Sequence, residues 1–246
     1  MSKNWVFQAL SLVTVTLLWM AASLMLGEGT LPTPLATAKA VVEHFRNGEV
    51  LPALGGSLFR TLASFAVAMI AGLAFGISAA RSQTFRQYTQ GAFNLLLFAP
   101  TLVIVFIGLL AMGLGSSVAV ILISSLATFP IVGTYVRDVM QDVDRGLMLM
   151  AQSFRSTTRQ RVADIYLPYL VPPMLACGRV ALNSSWKVVL LCEVFGFPGG
   201  LGYEIRNNFA SYNIPSLLAW VVILVAVLLM SEQLIRLIER SVVRWK

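Results

Sequence analysis

Apolar residues in this chain come in long runs separated by short polar stretches, with little of the close alternation of a soluble domain. A helical run of about 20 apolar residues crosses the ~30 Å hydrocarbon core of a bilayer. Six such spans are predicted, over residues 5–26, 58–80, 91–112, 117–136, 167–195 and 214–235. The first is longer than the apolar core of a secretory signal and reads as a retained span. Pro100 and Pro130 lie inside the third and fourth, where a proline removes a backbone hydrogen bond and bends the helix. Pro168, Pro172 and Pro173 open the fifth, where the first helical turn needs no donor. Gly72 and Gly76 form a Gly-xxx-Gly pair, expected to serve close packing within the chain.

The polar intervals carry structure of their own. Within 27–56, Leu35, Ala38, Val41, Val42 and Phe45 share one helical face, and Thr37, Glu43, His44 and Asn47 lie elsewhere. This predicts a short amphipathic helix opened by Pro32 and Pro34. It lies either at the membrane surface or against the bundle's own loops. Residues 81–90 read as a basic loop, 113–116 as a tight turn, and 196–213 as a glycine-rich turn followed by a short polar helix. Residues 137–164 form the longest polar interval. Two helical pieces are expected there, one over about 144–154 and one from Thr157, with Thr157 and Gln160 as a capping box. Bundle connections usually take two to eight residues, so this interval is predicted to be a hairpin offered to a soluble partner.

Composition narrows the class. Of the 246 residues 57% are apolar and 12% charged, about half the charge of a soluble domain. The expectation is an all-α polytopic bundle, one membrane domain over 1–246. The net charge of +7 belongs to the flanks of the spans and does not point to nucleic acid. Twelve Lys and Arg residues fall in the N-terminus, 81–90, 137–164 and the tail. Four, Lys39, Arg46, Arg60 and Arg206, fall on the opposite side. That bias places both termini and the 137–164 hairpin in the cytoplasm. Cys177 and Cys192 lie ~22 Å apart on one predicted helix, too far for a disulfide. His44 is the only histidine, so no metal site and no catalytic constellation is expected. No phosphate loop is present, so the chain is not expected to hydrolyse ATP or to act as an enzyme by itself.

Several polar groups fall inside the fifth span. Arg179, Asn183, Trp186 and Glu193 lie on one stripe, with Lys187 about 80° from Arg179 around the helix. Charges at bilayer depth are costly and face a bundle interior or a wet cavity. Two readings stand: the stripe lines a translocation path, or Arg179 holds helix ends while Glu193 ties down the glycine turn. Lys187 has no carboxylate at helical spacing. Its partner would be an anionic solute, or Glu193 in a non-ideal geometry.

The end of the hairpin resembles a known motif. Permease subunits of ATP-binding-cassette importers carry Glu-Ala-Ala, three residues, Gly, nine residues, then Ile-x-Leu-Pro. Leu149-Met150-Ala151, Arg155 and Ile165-Tyr166-Leu167-Pro168 keep that spacing, with Leu149 in the glutamate place and Arg155 in the glycine place. Leu31-Pro32-Thr33-Pro34, Ser57-Leu58-Phe59-Arg60, Phe129-Pro130-Ile131, Gly178-Arg179 with Trp186 and Glu193, and Gly200-Leu201-Gly202 resemble the nitrate/sulfonate/taurine-type branch. So does the basic end with Arg240 and Trp245.

The resemblance implies a type I ABC importer permease fold with a cytoplasmic coupling hairpin at 147–168. Ala151, Gln152, Ser153, Phe154, Arg155, Leu167 and Pro168 would contact the ATPase. Lys187, Asn183, Trp186, Arg179 and Glu193 would be pathway candidates. The implied partners are ATPase subunits that bind ATP and magnesium, a second permease in a homodimer or heterodimer, and a periplasmic binding protein. The implied location is the bacterial inner membrane, and the implied solute is a small anion such as a sulfonate, nitrate or carboxylate. The alternatives are a stand-alone secondary carrier or a channel-type subunit. A carrier would show inverted repeats and mid-membrane acids, whereas Glu193 and Glu232 both lie near span ends.

Overall fold

A computed structural model describes residues 4–27, 29–142, 146, 150, 151, 153, 154 and 156–242. The described residues fold as helices and short connections: α1 (Asn4–Leu26), α2 (Pro34–Arg46), α3 (Val50–Arg81), α4 (Gln83–Phe98), α5 (Thr101–Met112), α6 (Ser117–Gln141), α7 (Leu167–Gly196), α8 (Leu201–Ala210) and α9 (Ile214–Val242). Helices α3, α6, α7 and α9 are each long and apolar enough to cross a membrane. The all-α membrane bundle expected from the apolar runs is present, but among the described residues there are four such helices, or five with the bent pair α4–α5 as one span, where six spans were expected.

The centre of the bundle is α3 packed on α6, with α7 against both. The glycine pair explains how closely α3 and α6 meet. A Cβ on Gly72 would stand 2.5 Å from Cβ of Val132, and one on Gly76 would stand 2.6 Å from Cβ of Val136. Only glycine permits that approach, and the pair serves packing within the chain, as expected. A second core joins Val50 and Ala53 of α3 to Leu182 and Trp186 of α7, Leu201 of α8, and Trp220 and Ile223 of α9. Cys177 and Cys192 are free and buried along α7.

Three expectations about elements need correction. The third span is no single helix: α4 and α5 meet at a 102° bend. Pro100 causes it locally. The residue before a proline is driven out of the helical region, and Ala99 and Pro100 both adopt extended backbone, with ψ of 134° and 125°. Residues 81–90 do not form a loop, because α4 starts at Gln83, capped by Ser82 Oγ accepting from Phe85 N–H at 3.2 Å. Residues 50–56 do not belong to the first polar interval, because α3 starts at Val50.

Elsewhere the local signals hold. Pro34 opens α2, and Thr33 Oγ1 caps it by accepting from Ala36 N–H at 3.2 Å. Thr157 N–H donates to Gln160 Oε1 at 2.8 Å, and Gln160 N–H donates back to Thr157 Oγ1 at 3.3 Å. This is the reciprocal capping box. From it the helix runs through a π-turn over Arg161–Tyr166 straight into α7. Most of the first hairpin piece lies outside the described residues.

Candidate functional site

One buried polar cluster joins α3, α7 and the glycine turn. Ser57 and Arg60 lie one helical turn apart on α3 and face Glu193 near the end of α7. Arg60 donates to Glu193 Oε1 from Nη2 at 2.7 Å and from Nε at 3.1 Å. The Ser57 hydroxyl donates to the same carboxylate at 2.8 Å and accepts from Leu201 N–H at 2.9 Å. Gly202 N–H donates to Glu193 Oε2 at 2.9 Å. The guanidinium also reaches the Gly199 carbonyl and stands 4.2 Å over the Phe197 ring.

The side chains of Arg60 and Glu193 are 6% and 0% exposed. Ions so far from water persist only when paired and hydrogen-bonded, and here both conditions are met. Gly200, at φ +96°, makes the turn possible: a Cβ there would stand 2.5 Å from both the carboxylate and the guanidinium. The cluster is a clamp that holds the α7–α8 turn onto α3.

The charge count places Arg60 at the outer edge of the second span, on the side opposite the basic hairpin. It lies deeper in the helix than that, because α3 begins at Val50, ten residues before it. An arginine and a glutamate, each inside an apolar run, were the signal that could have paired them. Glu193 ties down the glycine turn, the structural reading given to it. It is not the counter-ion of Lys187.

The remaining residues of the fifth-span stripe part company. Trp186 is buried in the second core, and Asn183 and Arg179 are half-buried. Arg179 lies within electrostatic range of Glu232 on α9. Lys187 is exposed and makes no hydrogen bond or ion pair with any described residue. Ala176 and Val180 are exposed on the same side of α7, so Lys187 belongs to an outward stripe distinct from the packed one.

A second polar cluster fastens α2. His44 Nδ1 lies 2.5 Å from Glu49 Oε2, and His44 Nε2 lies 2.6 Å from the Ser216 hydroxyl of α9. The ring is tilted against Trp220 at 4.8 Å between centroids. The hydrogen bond from His44 holds the Glu49 carboxyl below its ordinary range. Burial pushes the Glu204 carboxyl up, with the Glu49 charge adding to the shift and His44 opposing it. Sequence order hides this group, because His44 and Ser216 are 172 positions apart. Helix α2 packs on α9 through its polar side, with Thr37 buried and His44 against Trp220, while Leu35, Ala38, Val42 and Phe45 of its apolar face stay exposed.

Within the hairpin, Ala151 is buried in the chain itself, while Phe154 is 80% exposed and Ser153 is exposed. Leu167 and Pro168 form the first turn of α7. Gln152 and Arg155 lie outside the described residues, as does Leu149.

The architecture matches solved importers. It superposes on a chain of the MetNI methionine ABC transporter in an inward-facing conformation, with a TM-score of 0.68 at 18% identity, covering 78% of this chain and 95% of that one. Residues 72–244 match the family of binding-protein-dependent transport system inner membrane components. The chain belongs to that family and is an ABC importer permease, a transport subunit of the membrane. Among its relatives is the Bacillus subtilis (strain 168) chain named for aliphatic sulfonates transport, SsuC, 25% identical over 88% of this chain and 78% of that one. The taurine transport system permease TauC of Escherichia coli (strain K12) is 23% identical over 95% of this chain and 86% of its own length. The bicarbonate transport system permease CmpB of Synechococcus elongatus (strain ATCC 33912 / PCC 7942 / FACHB-805) is 23% identical over 76% of this chain and 68% of its own length.

Proposed function

We propose that this chain forms the translocation path of an ATP-driven importer for a small anionic solute, with Lys187 on the wall of that path. The observation that carries this reading is the exposed, unpaired Lys187 within an apolar span. Such a cation calls for an anion from outside the chain. The names of relatives, for sulfonate, taurine and bicarbonate transport, support the same chemical class. Asn183, half-buried one turn before it, supplies a neutral hydrogen-bonding group beside the same stripe.

In this proposal a periplasmic binding protein delivers the solute, and a separate ATPase binds ATP and magnesium. A second permease completes the path, and the complex sits in the bacterial inner membrane with both termini in the cytoplasm. The 147–168 hairpin seats in the ATPase, with Phe154 as its exposed aromatic contact. Closure of the ATPase pair then rocks the bundles between inward- and outward-facing states.

The test is uptake by vesicles holding the chain with its ATPase and binding protein, assayed with labelled taurine, an alkanesulfonate and bicarbonate against neutral solutes. Lys187→Met is expected to lower uptake of the preferred anion about tenfold, with assembly and basal ATPase activity retained. Uptake unchanged by the substitution, or uptake of a solute without an anionic group in preference, overturns the reading.

A further inference from the structure

We propose that the cleft between α3, α4 and α6 is a binding site for an anionic phospholipid, distinct from the solute path. A cavity of about 440 Å³ lies there, lined by Phe75, Tyr88, Ala92, Phe93, Leu96 and Phe129. Its wall is aromatic. Phe75 and Phe93 stack in parallel at 4.2 Å, and Phe129 meets both edge-on at 6.1 and 5.8 Å. Phe75, Phe93 and Thr89 also line a narrow notch that continues the cleft, and that notch ends in Arg86 and Arg137. An apolar slot leading to two guanidinium groups has the polarity of a phospholipid, acyl chain and phosphate in turn.

The charges at the arginine end leave room for an anion. From α6, Arg137 is paired with Asp138 at 2.7 Å, and Asp142 follows at the helix end. From α3, Arg81 is in the last turn. Arg86 of α4 is half-buried and makes no ion pair with any described residue. A cation held there without a carboxylate is poised for a phosphate, to which arginine donates in bidentate fashion.

The dimensions agree. Phe129 and Arg137 are eight residues apart on α6, or ~12 Å along the helix. That separation sets the aromatic slot at hydrocarbon depth when the arginines lie at headgroup level. Basic pockets between spans hold anionic headgroups by this arrangement. Tyr88 is 89% exposed beside the cavity, giving a lipid a lateral way in.

The test uses the purified full-length chain, delipidated in a non-ionic detergent and titrated with phosphatidylglycerol, phosphatidylcholine or inorganic phosphate. Native mass spectrometry reads occupancy, and thermal unfolding reads stabilisation. Phosphatidylglycerol is expected to stay bound and raise the unfolding temperature, and the other two are not. Arg86→Gln breaks no internal ion pair and is expected to weaken phosphatidylglycerol binding about fivefold. Ala92→Trp fills the slot and is expected to abolish it. Photo-crosslinking of an acyl-labelled phosphatidylglycerol to residues 85–96 of the unsubstituted chain gives the answer even if a variant folds poorly. Equal retention of the two lipids overturns the proposal, as does crosslinking elsewhere. A full effect from inorganic phosphate alone would mean an anion site without an acyl chain. A phosphatidylglycerol-independent dimer that covers the cleft would mean a second copy of the chain as occupant.

Discussion

Arg60 and Glu193 show how one ion pair organises an end of the bundle. Each group is costly inside the membrane alone, and together they hold Ser57, Gly199, Leu201 and Gly202 in one network. Glu193→Gln leaves the guanidinium buried without a counter-charge, so it is expected to cost about 3–5 kcal/mol of stability. Arg60→Met leaves the carboxylate stranded and is expected to cost a similar amount. Replacing both, with Arg60→Met and Glu193→Gln, removes the stranded charge and is expected to recover much of that loss. Unfolding temperatures of the four chains in one detergent give the coupling. Additive losses in the double variant would show that the two groups do not act as a pair.

At the scale of elements, the sequence was most informative where a signal is local. Pro34 and Thr33 announce α2, and Thr157 with Gln160 announces the second hairpin piece, because a cap is made within one helical turn. Pro100 was legible as a disturbance but not as a break. A proline removes one backbone bond in either case, and packing decides the rest: Pro130 stays inside a continuous α6, buried among neighbours, whereas α4 and α5 turn away from each other. The polar start of α4 reads as loop because its apolar side, Phe85 and Phe93, finds its partners on α3 and α6. The two polar clusters were invisible as clusters, since their members are 133 and 172 positions apart.

The α2 cluster also carries a pH dependence with two signs. A carboxyl depressed by folding, as at Glu49, contributes stability above its ordinary value of ~4.3 that is lost as pH falls through the folded value. A carboxyl raised by folding, as at Glu204, contributes stability at low pH that is lost as pH rises through the raised value. Glu49→Gln is therefore expected to destabilise at pH 7 and to become neutral in acid. Glu204→Gln is expected to stabilise at pH 7, and that gain should vanish in acid. Thermal unfolding of both variants from pH 3 to 8 reads the two trends, and slopes of the same sign would refute the assignment.

For the whole molecule, burial of Arg60 sharpens the charge argument for orientation. That residue is neutralised within the protein, so it no longer weighs on the side opposite the basic hairpin. Lys39, Arg46 and Arg206 remain there, against the twelve basic residues of the N-terminus, 81–90, 137–164 and the tail. Both polar clusters sit at the end with fewer positive charges, where α2, α8 and the start of α9 close over the bundle. The cleft arginines Arg86 and Arg137 sit at the other end, at the start of α4 and near the end of α6. If positive charge resists translocation, single cysteines at positions 46 and 206 should react with an impermeant thiol reagent added to intact cells. A cysteine at 159 should react only after the membrane is opened. The native Cys177 and Cys192 are buried, so a background variant with both replaced by alanine gives a clean baseline. Labelling at 159 from outside would reverse the orientation. It would also move the hairpin away from any cytoplasmic ATPase, and with it the coupling assigned to Phe154.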